Sequence, residues 1–300
     1  MFNETLTAAL KLYPGYSPRS IKRKALFVAK VLTHRNLVSG FCRRMRACKY
    51  HPELALDPHM LGLVEWPYLN NLWSVGERFD AVATHYELID QLSNQLRTVD
   101  RQHVLLLCDL GYASEGASIA IDRPPWFVRE SELVLNLFQK ELRVASLAFT
   151  LGRDDAGLKM MIGAVQGIHS GVSSEESLDI FRKMTKDFEG LRPRSLLIEA
   201  LRMIAACIGA KTILAVADQN RHHRHPYFGI REQAKFSANY DDIWNDHEGV
   251  PGAAAGFYEL PLMATQKSMA DIPSKKRAMY RRRQELVDVV RAAVERALHG

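Results

Sequence analysis

Cysteine is scarce in this 300-residue chain, and Cys42, Cys48, Cys108 and Cys207 contain no CxxC pair and no zinc-ribbon spacing. That excludes a disulfide scaffold and a structural zinc module, and leaves four reduced thiols packed as small apolar residues. Long apolar runs are missing too. The two longest, around HVLLLCDLGYA and LLIEALRMIAACIGA, are too short to cross roughly 30 Å of hydrocarbon, and the second carries Glu199 and Arg202. No transmembrane helix is expected. The opening residues MFNETLTAAL lack a basic n-region, a long apolar h-region and a small-residue cleavage site. The expectation is therefore a cytoplasmic chain without a secretory signal. No repeat or low-complexity tract occurs, and 47% hydrophobic residues suffice for a sizeable core, which excludes disorder.

Acidic residues are absent from Thr5 to Pro52, a stretch holding eleven Lys and Arg. Residues 1–52 carry a net +10, whereas the remainder sets 29 basic against 33 acidic residues, within an overall charge of +6. The basicity belongs to one segment and points to an anionic partner such as phospholipid head groups. No DNA partner is expected, because no nucleic-acid module accompanies the charge. Val38, Phe41, Cys42 and Met45 recur at helical spacing, and Arg35, Arg43, Arg44 and Arg46 lie mostly off that stripe. Two readings follow. Such a helix lies in an anionic membrane interface, peripheral at the inner membrane, or it packs on its own domain with a solvated cationic face.

The pattern predicts a basic helical N-terminal region over residues 1–100 and an α/β (α+β) core over 101–300. Residues 20–48 read as one or two helices, and Val75–Asp100 as another through Val82, His85, Tyr86, Ile89, Leu92 and Leu96. From His103 the runs HVLLLCDL, ASIAID, LVLNLF, ELRVASLAFTLG and LKMMIGAVQG read as an antiparallel meander. Two helices follow: Ser173-x-x-Glu176 predicts a capping box, Pro193 opens RSLLIEALRMIAACI, and Gly209 closes it. The strand TILAVAD would then join LKMMIGAVQG as a parallel crossover. A helix around Ser237–His247, a strand GFYELPL and a C-terminal helix from Ser274 to Leu298 complete the pattern.

Chemistry-bearing side chains are densest from Arg221 to Glu248, directly after the carboxyl end of a parallel strand, where ligands bind in open α/β sheets. His222, His223 and His225 do not complete a metal shell, so no metal is expected. Tyr227, Arg231, Lys235, Tyr240 and Trp244 alternate bulky amphipathic groups with cations, which suits a pocket that stacks on and neutralises an anion. Lys275, Lys276 and Arg277 occupy the first turn of the last helix, where the macrodipole favours anions. On a helical projection Lys275, Lys276 and Arg283 share the stripe of Met279, Leu286 and Val290. Either carboxylates such as Asp241, Asp242 or Glu259 pair with them, or the helix start is an anion site. Arg192 and Arg194 around Pro193 form a second candidate of this type. Tyr227 and Arg231, Tyr258 and Glu259, and Lys275–Arg277 are expected to line one pocket.

The stretches RHPYFGIREQAKFSANYDDIWND, GFYELPL and IPSKKRAMYRRR, with THYELI and MMIGAVQG before GLRPRSLLIEAL, resemble the VirK/YbjX family of Gram-negative bacteria over roughly residues 20–290. The resemblance implies a role in envelope integrity, antimicrobial-peptide resistance or virulence, with envelope or virulence proteins as partners. The element order also resembles the GNAT-type N-acyltransferases, which implies acyl-CoA as cofactor, its pyrophosphate on a helix N-terminus. VQGIHSGV differs from that family's Q/R-x-x-G-x-G/A loop, and an extra helix precedes the crossover helix. On that analogy Tyr240 is the candidate general acid, and Glu232 or Glu259 the candidate base.

Overall fold

The computed structural model describes residues 2–92, 94–168, 171–229, 238–265 and 268–299. The chain starts with three helices, α1 (Phe2–Leu12), α2 (Pro18–Thr33) and α3 (Arg35–Ala47). Ser17 caps α2 by accepting the Ser20 N–H, and Pro18 holds its first position. A single turn, α4 (Pro58–Leu61), leads to α5 (Val75–Gln91), which opens on a complete Ser74–Glu77 capping box. The apolar stripe of α3 (Val38, Phe41, Cys42 and Met45) is buried, with Phe41 against Phe79 of α5 at 4.8 Å. That corrects one of the two readings of this helix: its apolar face is committed to the protein's own core and is not available to a bilayer. Arg44 bridges to Glu87 and Asp80, and Arg46 to Glu4.

The helix expected to run to Asp100 stops at Gln91. Leu92 is extended, and the Asn94 side chain accepts the Leu96 N–H to start a separate short turn, Gln95–Thr98. A short polar side chain that bonds locally competes with helix continuation.

The five apolar runs form the meander β1 (Leu105–Asp109), β2 (Ala117–Asp122), β3 (Leu133–Gln139), β4 (Leu142–Asp154) and β5 (Gly157–Gln166), each antiparallel to the next. Two helices, α6 (Ser174–Asp187) and α7 (Pro193–Cys207), cross over to β6 (Thr212–Val216), which pairs parallel with β5. A short helix α8 (Tyr240–Asp246), strands β7 (Val250–Pro251) and β8 (Phe257–Leu260), and the long α9 (Ser274–His299) follow. The sheet order is β1-β2-β3-β4-β5-β6-β8-β7. β4 is buried without a break from Val144 to Gly152, which requires cover on both faces; α5 and α7 both pack on it. One apolar core runs from Ala8 of α1 to Leu298 of α9. Among the described residues no helix is long and apolar enough to cross a membrane.

Two local features shape the region beyond β5. The β4–β5 register shifts between Ala148 and Phe149, so Gly163 stands as a bulge, and a Cβ there would overlap the Glu130 carbonyl oxygen. Only glycine lets the 127–131 segment lie so close on β5. The parallel β5–β6 ladder runs from Lys159–Thr212 to Ile162–Ala215 and then ends.

Candidate functional site

A cleft of about 910 Å³ opens where the crossover helix begins. Its walls come from α6 (Phe181, Arg182), the start of α7 (Arg194, Ser195), α8 (Ile243, His247) and α9 (Met279, Arg282), so residues about 100 apart in sequence meet there. Several of its cations are compensated: Arg282 donates two hydrogen bonds to the Glu189 carboxylate at 2.8 and 2.9 Å, Arg182 pairs with Asp179, and Arg192 reaches Asp246 at 3.7 Å. Arg194 is different. It is half-buried, its Nε is enclosed without a hydrogen-bond partner, and it makes no ion pair among the described residues. It lies 5.9 Å over the Phe181 ring, and burial pulls its pKa below the usual guanidinium value. No side chain caps α7, so the Arg194 and Ser195 N–H groups add their partial positive charge to the same wall.

Ser195 Oγ and His247 Nε2 are 3.2 Å apart on this wall. Burial, with the Arg202 charge, pushes His247 down to about 4, so the imidazole is neutral at physiological pH. A base that weak does not activate a serine, and the pair is a hydrogen-bonding surface for a ligand.

At the end of the ladder the two parallel strands are joined by α8 instead of by each other. The Tyr240 hydroxyl accepts from Val165 N–H at 2.9 Å and donates to Val165 C=O at 3.0 Å, while Trp244 Nε1 donates to Val216 C=O at 2.8 Å. Both side chains are fully buried. Tyr240 and Trp244, expected at a ligand, thus fill the split between β5 and β6, and burial pushes the Tyr240 phenol up to about 12. Arg221 stacks on Tyr240 at 3.6 Å and bonds Asp218 and the Ala238 carbonyl.

A carboxyl missed by sequence reasoning sits beside this join. Glu130 receives Gln166 Nε2 on both oxygens, at 2.9 and 2.8 Å. Burial pushes it up to about 8, against the lowering pull of Arg221 and Gln166, so it is protonated at neutral pH and titrates where an acid–base group is useful. Its shift arises from the close approach at Gly163, a long-range contact with no local pattern.

The other expected residues are dispersed. Tyr227 accepts from Arg23 at 2.7 Å and faces Phe228 and Arg129 on the N-terminal side of the molecule. Tyr258 and Glu259 lie on β8, opposite Ala215 and Leu214, with Glu259 exposed. Lys275, Lys276 and Arg277 are exposed, which for Lys275 and Lys276 corrects the expected place on the apolar stripe, while Arg283 is half-buried. The buried positions of α9 are Leu286, Val290, Val294 and Leu298, and its first turn runs out past the core. Arg277 bonds the Ile272 carbonyl, and α9 reaches the cleft through Met279 and Arg282. Among the described residues no hydrogen bond, ion pair or ring contact joins Tyr227, Tyr258 and Lys275–Arg277. Arg231, Glu232 and Lys235 lie outside the described residues.

These features define a mixed-sheet α/β protein with a cationic cleft at its parallel crossover. The chain belongs to the family described as "Protein of unknown function (DUF535)", matched over residues 17–296, which is the VirK/YbjX family that its motifs resemble. It is similar to the uncharacterized protein YbjX of Escherichia coli (strain K12), 27% identical over 254 residues covering 82% of this chain and 74% of that one. It is also similar to an uncharacterized protein of Haemophilus influenzae, 25% identical over 227 residues covering 74% and 71% of the two chains. No solved structure matches the chain.

Proposed function

We propose that this chain binds a phosphate-bearing amphiphile, an acyl-coenzyme A or a phospholipid, in the cleft at the start of α7, and so supports modification or integrity of the bacterial envelope. Arg194 carries the reading. A half-buried guanidinium without a carboxylate, beside first-turn N–H groups, is costly when empty and favourable around a phosphate. Phe181, Leu178, Ile243 and Met279 give the same cleft an apolar wall for a chain or ring. Because Tyr240 occupies the Val165 backbone groups, the ligand lies on the helix side of the sheet and not between the strands.

Titration calorimetry with coenzyme A, a long-chain acyl-coenzyme A and a lysophosphatidylglycerol tests this. Saturable binding by one of them, weakened at least tenfold by Arg194→Gln, is expected; binding by none, or equal binding by the variant, refutes it. The identity of the ligand that binds distinguishes coenzyme from lipid. Release of free thiol from the acyl-coenzyme in the presence of an amine or hydroxyl acceptor marks an acyltransferase. Binding without release leaves the accessory, non-catalytic role. Antimicrobial-peptide resistance and virulence follow, on this reading, from the altered surface that such modification produces.

A second surface supports association with an anionic membrane. Leu6 and Leu10 of α1, and Ile21, Leu26 and Leu32 of α2, are exposed by 44–52%. Arg19 and Lys22 of α2 and Arg35 and Arg43 of α3 make no hydrogen bond or ion pair among the described residues. Flotation with phosphatidylglycerol vesicles, lost at high salt and absent with neutral vesicles, is the expected result. Equal binding to both refutes it.

A further inference from the structure

A second cavity, about 370 Å³, lies between the N-terminal helices and the segment joining β2 to β3, and it shares no lining residue with the cleft at α7. Lys11 of α1, His59 of α4, Trp66, Trp126, Arg129 and His222 line it, and among the described residues no carboxylate does. Arg129 is its central group. Its guanidinium lies 4.3 Å over the Trp66 ring and 5.5 Å from Phe228, so aromatic surfaces cover its faces. Its N–H edge is another matter: Arg129 makes no side-chain hydrogen bond and no ion pair among the described residues, and burial lowers its pKa.

Two fully buried arginines elsewhere in the fold have acceptors. Arg123 has Glu132, and Arg202 has Glu199 and two backbone carbonyls. The two histidines add to the demand. Burial, and the nearby Arg129 charge, hold His59 and His222 below the usual imidazole value, so each presents one neutral N–H donor and one ring acceptor. Asp57, the acid nearest His59, is engaged with Arg101 at 2.8 Å and with the His59 backbone N–H. The cavity thus gathers two cations and two imidazoles with no counter-charge among the described residues that line it, between the rings of Trp66 and the exposed Trp126.

We propose that this cavity binds a phosphate monoester carrying a flat ring, the phosphate on Arg129 and Lys11 and the ring against the tryptophans. A dianion matches the two cations, planar guanidinium geometry suits phosphate oxygens, and 370 Å³ is within the range of small-molecule sites. This site is independent of the amphiphile cleft, and Arg194→Gln does not affect it.

The test is a titration of the full chain with phenyl phosphate, inorganic phosphate and phenol, followed by tryptophan fluorescence, since Trp66 and Trp126 report on the cavity. Phenyl phosphate is expected to give a saturable change at millimolar concentration or below, inorganic phosphate to bind more weakly, and phenol not to compete. Arg129→Gln should weaken phenyl phosphate at least tenfold, a change of about 1.4 kcal/mol. Lys11 is exposed, so Lys11→Gln keeps the fold and should weaken it severalfold even where the Arg129 variant unfolds. No saturable signal with phenyl phosphate, phenol competing as well as phenyl phosphate, or unchanged affinity in Lys11→Gln and in a folded Arg129→Gln would each overturn the proposal.

Discussion

Glu130→Gln isolates a carboxyl whose environment opposes its charge. Burial raises the Glu130 pKa from 4.5 to about 8. The folded state therefore holds a proton that the unfolded chain has released. A group raised in this way contributes stability that is full below about pH 4.5 and drains as pH climbs to about 8, at about 1.4 kcal/mol per pH unit. Buried histidines act with the opposite sign. His85, His222 and His247 are held below their ordinary values by burial, so folding loses stability as pH falls below about 6.5. The window from about pH 6.5 to 8 thus belongs to Glu130, and its span gives about 2 kcal/mol, or ~1–2 kcal/mol with discount for the part of Glu130 that reaches water. The amide of the variant still accepts from Gln166. Urea unfolding followed by tryptophan fluorescence at the two pH values should show wild type losing that amount and Glu130→Gln losing little. Parallel losses in the two proteins, or a flat wild type, refute a raised carboxyl at this position.

Tyr240→Phe strands the Val165 N–H and C=O, each buried, and should lower stability by about 2–4 kcal/mol in the same urea assay while leaving ligand affinity at the cleft unchanged. Gly163→Ala forces a Cβ onto the Glu130 carbonyl oxygen, so a loss of about 3 kcal/mol or more, or failure to fold, is expected in thermal unfolding. Arg123→Met removes the cation at 3.2 Å from Glu132, which also accepts the Tyr86 hydroxyl at 2.6 Å and is 1% exposed. Breaking that buried pair should cost about 3–5 kcal/mol, read from the urea midpoint.

The meander and crossover were legible because their signals are local. Val38, Phe41, Cys42 and Met45 mark one helical face by spacing alone, and that face is buried. Ser173 accepts the Glu176 N–H, Pro193 opens α7, and Gly209 adopts φ +72° just past its end. The end of α5 was not legible, since Leu92 and Leu96 continue the apolar period into a segment where the Asn94 side chain has already captured the backbone. Tyr240 and Trp244 show a different limit. An amphipathic aromatic suits a pocket and suits a core that offers one carbonyl, and only tertiary structure reveals that Val165 and Val216 are their partners. Glu130 had no sequence signal, because its burial depends on a bulge at Gly163, more than thirty residues away.

The same electrostatic conflict, cations in the first turn of a helix, occurs in α7 and in α9 with different consequences. At α9 the Lys275 and Lys276 side chains stand in water, where solvent screens their repulsion from the helix dipole and nothing is left uncompensated. At α7 the guanidinium of Arg194 is tucked beside Phe181 and Gly167, with an enclosed nitrogen that neither protein nor open solvent satisfies. Solvent screening is weaker there, and the repulsion is left uncompensated among the described residues. The helix start that most needs an anion is therefore the one whose cation is half-buried. Around it the fold has assembled a cleft of about 910 Å³, drawing Met279 and Arg282 from α9 to complete the wall. Charge pattern in the sequence named both helices; desolvation, a property of the folded chain, selects between them.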